Sequence, residues 1–495
     1  MNRRLIAKVI GFILMLEGAF MLLPIIVALI CGEDDWRWFI ITGVICALAG
    51  LILYRIPLKK KSMHALEGYF VVAAAWIVLS AFGAIPFTLS GTIPNYLDAL
   101  FETVSGFTTT GCTILDDIEV LSHSMLFWRS FTHWIGGMGI LVFMLAISPV
   151  AGNGNAIYML RAESPGPVTE KISPKISTTA KYLYLIYFGF TVMEIIALCI
   201  SGLSLFKSSL LSFGTMATGG FSYLNSSVAE LTFAQQNIIL VFMLIAGINF
   251  SLYFLVLTGK FKSALKNEEF HWYAAIYILV TAIVTLNTFF SGVFDTFAEA
   301  LHHVAFSAAS VITTTGFSTT DMDLFPWFSK NLLLFVMFFG ACAGSTAGGI
   351  KVSRIAIAFK SIKSGHRSLT HSRSVTIVRF NGKKVDENVT KSIMYYICIF
   401  IVLFAASMFI VSLDPRVDFT GAFSAVDTTI NNNGIAFGSA SGTFSSFKWY
   451  SKVVFIIDML IGRLEIMPMM VFFGRIFSPV SNGAQSIKRK VMLSR

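Results

Sequence analysis

Charge is what this sequence has least of. Only 13% of its 495 residues are Asp, Glu, Lys or Arg, against about 25% in soluble domains. With 55% hydrophobic residues and a mean hydropathy of +0.75, that shortage excludes a disordered chain and most soluble enzymes. The six cysteines (31, 46, 112, 199, 342 and 398) are scattered, with no CxxC pair and no His/Cys cluster in sequence. That spacing argues against a zinc site or a disulfide framework. No GxxxxGK[ST] phosphate loop occurs, so no nucleotide site of that kind is expected. What the chain has instead is long apolar runs. Leu5–Cys31, Phe39–Tyr54 and Ile393–Leu413 approach or exceed the ~20 residues a membrane helix needs. The first is too long for a signal peptide and lacks a small-residue cleavage site, so it reads as a retained span. The sequence describes a polytopic membrane protein.

The net charge of +10 is distributed in a way that fits a membrane better than a nucleic acid. Twenty-nine of the 37 Lys and Arg residues fall near the N-terminus and in segments 55–61, 161–181, 260–266, 351–391 and 475–495. These clusters recur after every second apolar span, while 32–35 and 116–119 are acidic. The positive-inside rule then puts the basic segments and both termini in the cytoplasm. Segment 351–391 is broken by turns and apolar residues and lacks a folded nucleic-acid reader.

Two spans (about 5–31 and 36–56) form a preface, and the rest of the chain repeats itself. Each unit reads apolar span, short amphipathic stretch, polar signature with glycine, second span, basic loop. The spans and stretches lie near 66–89, 96–105 and 124–148; 180–204, 208–215 and 233–258; 272–293, 298–312 and 330–359; and 391–413, 419–430 and 449–475. The units divide the chain as 1–62 (preface), 63–170, 171–268, 269–385 and 386–495. Their signatures are Ser105-Gly-Phe-Thr-Thr-Thr-Gly-Cys-Thr113, Met216-Ala-Thr-Gly-Gly-Phe-Ser222, Thr313-Thr-Thr-Gly-Phe-Ser-Thr-Thr320 and Asn431-Asn-Asn-Gly-Ile-Ala-Phe-Gly438. Every unit starts and ends on the same side, so the four are parallel repeats that can surround one axis.

The stretch before each signature is too short to span. Backbone at membrane depth must be satisfied internally or line a watery cavity. A half-helix followed by an extended return meets that condition, with β-branched threonines suited to the return. Glycine permits the φ that turns carbonyls toward an axis. Four such segments predict rings of oxygens that replace an ion's hydration shell, with half-helix C-termini favouring a cation.

These signatures, with His133-Trp-Ile-Gly-Gly-Met-Gly139, Arg161-Ala-Glu-Ser-Pro-Gly-Pro167 and Gly462-Arg-Leu-Glu465, resemble the Trk/Ktr/HKT superfamily of potassium transporters. The two-span preface is that of its TrkH-type members. The resemblance implies an all-α membrane protein with four parallel M1–pore-helix–M2 repeats around a pseudo-fourfold pore, after two extra helices. It implies a K⁺ filter at Thr109, Thr110 and Gly111; Thr218 and Gly219; Thr314, Thr315 and Gly316; and Asn432, Asn433 and Gly434. Relatives that favour Na⁺ carry serine for the first filter glycine, so Gly111 points to K⁺. Met216-Ala217 and Asn431–Asn433 depart from the threonine pattern, and unlike ring members predict weaker K⁺/Na⁺ discrimination than a homotetrameric channel has.

The segment Gly340-Ala-Cys-Ala-Gly-Ser-Thr-Ala-Gly-Gly-Ile350 interrupts an apolar span. Its glycines fit GxxxG helix packing, yet each costs a continuous helix about 1 kcal/mol. The resemblance implies an intramembrane gating loop there, built on Gly340, Gly344, Ser345, Thr346, Gly348 and Gly349. Arg463 lies within a span, where a charge is costly. It reads either as an inter-helix ion pair, with Glu194 a candidate partner, or by resemblance as a cation under the filter that contacts the gating loop. Glu465 is on the wrong helix face to pair with it. His133 reads as a packing histidine, and Trp128, Trp134, Trp327 and Trp449 as interfacial anchors. By resemblance the chain is a homodimer in the inner (plasma) membrane. Its cytoplasmic partner is a TrkA-type nucleotide-binding ring, docked on loops 151–179 and 355–390. No cofactor is expected beyond K⁺ as cargo, and no nucleic acid. A K⁺/H⁺ or K⁺/Na⁺ symporter working by alternating access is the alternative. A membrane-embedded enzyme finds no nucleophile–base or metal cluster to support it.

Overall fold

The computed structural model describes residues 2–57, 65–137, 139, 176–371 and 377–477. The Arg161–Pro167 motif, the expected docking loop up to residue 175 and nearly all of the C-terminal basic cluster lie outside the described residues. Among the described residues six helices are long and apolar enough to cross a membrane. Two form the preface, Arg3–Cys31 and Trp36–Tyr54, and four open the repeats: Leu66–Leu89, Lys181–Ile200, Glu268–Phe290 and Glu387–Val411.

Burial sorts these opening helices. The most apolar windows of Lys181–Ile200, Glu268–Phe290 and Glu387–Val411 are only 22%, 33% and 17% buried, as lipid-facing helices should be. Leu66–Leu89 is 67% buried, because the preface and the last helix, Ile466–Phe477, pack over it.

Each opening helix is followed by a half-helix: Tyr96–Phe107, Leu205–Met216, Phe297–Ile312 and Phe419–Asn431. All four start the same way. The side chains of Asn95, Ser204, Thr296 and Asp418 accept from backbone N–H groups of the first turn, satisfying donors that a helix start leaves orphaned. These caps mark one face of the molecule, the cap face.

The second helices behave differently, because most are broken. Phe233–Ala246 meets Phe250–Leu257 at a 91° bend. Trp327–Met337 ends in a non-helical stretch before Val352–Thr370. Trp449–Leu464 stops at Glu465, whose φ is +63°, before Ile466–Phe477. Non-helical backbone at membrane depth needs protein or water around it, which puts these helices next to the central axis. The apolar runs 233–258, 330–359 and 449–475 gave no sign of the breaks beyond the glycines of 340–350. Downstream, Val352–Thr370 and the two-stranded hairpin Arg379–Phe380/Lys383–Lys384 occupy much of what reads in sequence as a basic loop.

Two of the expected interfacial tryptophans are corrected. Trp327 and Trp449 are 68% and 70% exposed at helix starts on the cap face. Trp128 and Trp134 are buried, and their indole N–H groups donate to Gly83 O and Thr191 Oγ1. They are core residues with a satisfied polar edge.

Candidate functional site

The end of each half-helix is built to one plan. Thr109, Thr218, Thr314 and Asn432 all have φ +54°. In the first three repeats the left-handed residue donates its N–H three residues back, Thr109 to Gly106 O, Thr218 to Thr215 O and Thr314 to Val311 O. The residue after it donates five back, Thr110 to Ser105 O, Gly219 to Gly214 O, Thr315 to Ser310 O and, in the fourth repeat, Asn433 to Thr428 O, all at 2.8–2.9 Å. This pattern is a Schellman cap. Glycine normally holds its left-handed position, since a side chain there costs about 1–2 kcal/mol. Three repeats place a β-branched threonine there and the fourth an asparagine. Such strain persists only where the surrounding structure enforces it.

Two residues beyond each left-handed residue stands a glycine: Gly111, Gly220, Gly316 and Gly434. In the second repeat the equivalent glycine is therefore Gly220, not Gly219 as the resemblance placed it, and Gly219 takes the place of Thr110, Thr315 and Asn433. The Gly219-Gly220 pair leaves this register open in sequence. Backbone geometry decides it, because Gly220 (φ +80°) matches Gly111 (+88°) and Gly316 (+90°). The four glycines are half-exposed, whereas Thr109, Thr110, Thr218, Gly219, Thr314, Thr315, Asn432 and Asn433 before them are buried.

The four signatures meet. A Cβ on Gly111 would lie 2.2 Å from Gly219 O, on Gly220 2.0 Å from Thr315 O, on Gly316 2.6 Å from Gly434 N, and on Gly434 3.2 Å from Thr110 O. Repeat one thus touches two, two touches three, three touches four and four touches one, in a closed ring of backbone. Side chains brace it: Asn432 Nδ2 donates to Thr110 Oγ1 and Met459 O, both at 2.9 Å, and Asn433 Nδ2 to Val311 O at 3.1 Å. His133, buried and packed against Phe221 with ring centroids 4.0 Å apart, donates from Nδ1 to Gly106 O at 2.7 Å. A carbonyl only accepts, so Nδ1 carries the proton.

The segment 338–351 lies against this ring. Gly340 and Ile350 belong to a short parallel bridge, and Gly348 N donates to Thr314 Oγ1 at 2.7 Å. A Cβ on Gly348 would lie 2.5 Å from Asn431 O, so only glycine permits the approach. The kink in the second repeat completes the loop's bonding. Cys342 N donates to Gly247 O and Phe250 N to Gly344 O, each at 3.1 Å, so two interrupted helices satisfy each other's backbone. Glu269 accepts from Ala343 N at 2.7 Å and Ser353 N at 3.2 Å. Arg463 donates to Thr346 O at 2.5 Å and to Gly136 O at 2.7 Å, joining the loop to the first and fourth repeats. Glu194 makes no hydrogen bond to Arg463. Glu465 pairs with Arg354 at 2.6 Å. The ring, the loop against it and Arg463 between them therefore involve all four repeats.

A family profile described as a cation transport protein, TrkH, matches residues 37–482. The chain belongs to the TrkH family. Among its relatives, the Trk system potassium uptake protein TrkH of Salmonella typhimurium is 35% identical over 483 residues, covering 96% of this chain and 99% of the relative. The Trk system potassium uptake protein TrkG of Escherichia coli is 31% identical, covering 96% and 98%. The crystal structure of the potassium transporter TrkH from Vibrio parahaemolyticus superposes with a TM-score of 0.86 at 31% identity, over 97% of this chain and 99% of that one. The chain is a multi-pass membrane transport protein with the M1–pore-helix–M2 fold of that family, and not an enzyme.

Two features of this structure were not read from sequence. The first is a buried ion pair beside the ring. Arg129 Nε donates to Glu102 Oε1 at 2.6 Å, and its Nη1 to Ser222 O at 3.0 Å. Its guanidinium lies 3.5 Å from the Phe221 ring centroid, and Glu102 also accepts from Ile114 N at 2.8 Å. The pair therefore holds the chain just beyond Gly111 and Gly220. An arginine inside an apolar span was the available signal. We expect Glu102→Gln or Arg129→Leu to cost about 3–5 kcal/mol, because each leaves a buried charge unpaired. The check is the melting temperature of the solubilised protein. A joint Arg129→Met/Glu102→Leu change should recover much of the loss.

The second feature is a ring of latches among the cap-face loops. Asn225 Nδ2 donates to Asp117 at 2.8 Å, Ser318 N to Ser227 Oγ at 3.1 Å, Gly438 N to Asp323 at 3.2 Å, and Ser445 and Thr443 hydroxyls to Asp116 at 2.6 and 2.8 Å. They link repeats one to two, two to three, three to four and four to one. The Ser445 and then the Thr443 hydroxyl hold the Asp116 carboxyl below its ordinary pKa.

Proposed function

We propose that the chain takes up potassium through a channel-like pore on the axis of the four repeats. One observation carries the reading: four half-helices end in the same left-handed turn and close a ring of backbone at Gly111, Gly220, Gly316 and Gly434. The oxygens of Thr109, Thr110 and Gly111, of Thr218 and Gly219 with Gly220, of Thr314, Thr315 and Gly316, and of Asn432, Asn433 and Gly434 form the selectivity filter and replace the ion's water. The names of the relatives, which are potassium uptake proteins, support K⁺ as the cargo. Segment 340–350 is the gate, with Gly340, Gly344, Ser345, Thr346, Gly348 and Gly349 giving the turns and close approaches, and Arg463 pinning it shut. The cap face is periplasmic and both termini are cytoplasmic, in keeping with the basic segments. The membrane potential drives entry, at about 2.3 kcal/mol per charge per 100 mV. The working unit is a homodimer regulated by a TrkA-type nucleotide-binding ring, for which the exposed end of Val352–Thr370 offers a basic docking surface.

Flux in sealed vesicles, with and without the partner, tests this reading. K⁺ and Rb⁺ should enter at comparable rates, and with K⁺ as the only permeant cation the current should reverse at the K⁺ equilibrium potential; reversal elsewhere under that condition favours a symporter. The ring is chemically uneven, with glycine at position 219 and asparagine at 432 and 433 where other repeats have threonine. Na⁺ uptake should therefore be measurable, on the order of one tenth of the K⁺ rate, where 1.4 kcal/mol corresponds to tenfold. Complete exclusion of Na⁺ would contradict that account of the uneven ring.

A further inference from the structure

The cap face brings together three metal-ligating side chains that lie far apart in sequence. Cys31 ends the first preface span, Glu33 follows its left-handed Gly32 cap, and His123 opens the second helix of the first repeat. One ligand atom from each lies within 4.8 Å of the other two. Cys31 is a free, exposed thiol. Glu33 is already fixed: Oε1 accepts from His123 N at 2.7 Å and Oε2 from Ser124 N at 3.0 Å, and Oε1 also meets the His123 Nδ1 at 2.9 Å.

We propose that Cys31, Glu33 and His123 form a binding site for a zinc-class divalent transition metal. The donor set is thiolate, imidazole and carboxylate, which selects zinc-like ions over Mg²⁺ and Ca²⁺. Three protein ligands with water in the fourth place is a common tetrahedral arrangement. The metal takes the place of the proton between Glu33 Oε1 and His123 Nδ1. Ligand bonds of about 2.0–2.1 Å at the tetrahedral angle need an N···O separation of roughly 3.3 Å, so that pair opens by a few tenths of an ångström. The Cys31 sulfur, on a solvent-facing side chain, closes the third side by rotating about χ1 and loses its proton on binding. Glu33 is ready for the role. Its hydrogen bonds to the amides of His123 and Ser124 orient it as outer-shell partners orient metal-bound carboxylates. Bound metal would tie the preface to the helix that carries His133 and Gly136, the residues that touch the filter turn and Arg463.

The test uses the full-length protein in detergent or nanodiscs, stripped of metal and titrated with Zn²⁺ against a chromophoric chelator, and separately with Co²⁺. One Zn²⁺ per chain should bind, and Co²⁺ should give a thiolate-to-metal charge-transfer band. Cys31→Ser should abolish the band and weaken Zn²⁺ binding at least tenfold, and His123→Gln should weaken binding comparably. Cys398→Ser, the other exposed cysteine, should change neither. Zn²⁺ should also slow maleimide labelling of Cys31, a readout that does not depend on a variant folding. Equal Zn²⁺ affinity in wild type and Cys31→Ser, or labelling of Cys31 unaffected by Zn²⁺, would overturn the assignment.

Discussion

Alanine at Gly316 or Gly220 is expected to cut potassium uptake about 100-fold with little change in the amount of protein in the membrane. The added methyl would meet Gly434 N at 2.6 Å in one case and Thr315 O at 2.0 Å in the other. Both obstacles are backbone and cannot rotate aside. Overpacking of this kind costs about 1–3 kcal/mol, and the left-handed φ of +90° or +80° adds about 1–2 kcal/mol for any side chain. The ring can shed that strain only by opening. A shift near 3 kcal/mol lowers the ratio of intact to open rings on the order of 100-fold, at 1.4 kcal/mol per tenfold. Gly189→Ala is the control, because a Cβ there meets nothing within 4 Å. Rb⁺ uptake normalised to membrane abundance is the measurement. Unchanged uptake in both ring variants would remove the filter from these residues.

Arg463→Ala is expected to raise uptake about tenfold in the absence of the proposed regulatory partner. Arg463 makes charge-assisted hydrogen bonds to Thr346 O and Gly136 O, each worth about 1.5–3 kcal/mol. Losing them shifts the loop toward displacement from the ring. The remaining restraints, Gly348 N on Thr314 Oγ1 and the two bonds to the second repeat's kink, keep the change well below the ~100-fold or more those energies would allow. Removing part of 341–349 should act in the same direction. A slower variant at equal abundance would mean that Arg463 is a structural tie and that the loop at rest does not obstruct flow.

The proposed filter and gate differ in how much of each is local. The signatures, the short stretches before them and the interrupted span at 340–350 are local features, and each was visible in sequence. Which residue of each signature takes the left-handed turn was not. Threonine disfavours positive φ, so propensity points away from Thr109, Thr218 and Thr314, and the second repeat offers two adjacent glycines. Only the folded backbone, with Gly220 at φ +80°, decides between Gly219 and Gly220. Arg463 was recognisable as a costly charge in a span, but its carbonyl partners lie more than a hundred residues away in sequence. For the same reason Glu194 was a plausible partner on paper and makes no bond to it in the fold.

Periodicity identifies an apolar helix and says nothing of what will cover it. Trp128 and Trp134 thus resemble Trp327 and Trp449 in sequence, although the first two are core and the others face outward. Cys31, Glu33 and His123 show no ligand spacing, since ninety residues separate the acid from the histidine.

By itself, the sequence determined the membrane class, the preface, the four parallel repeats and the glycine-bearing segments, because hydropathy, charge placement and turn chemistry act within a few residues of each other. The tertiary structure alone decided the register of the four left-handed turns, the bonding of the loop, the Arg129–Glu102 pair and the breaks in the second helices. Those depend on which backbone groups and charges meet after four separately encoded units close around one axis.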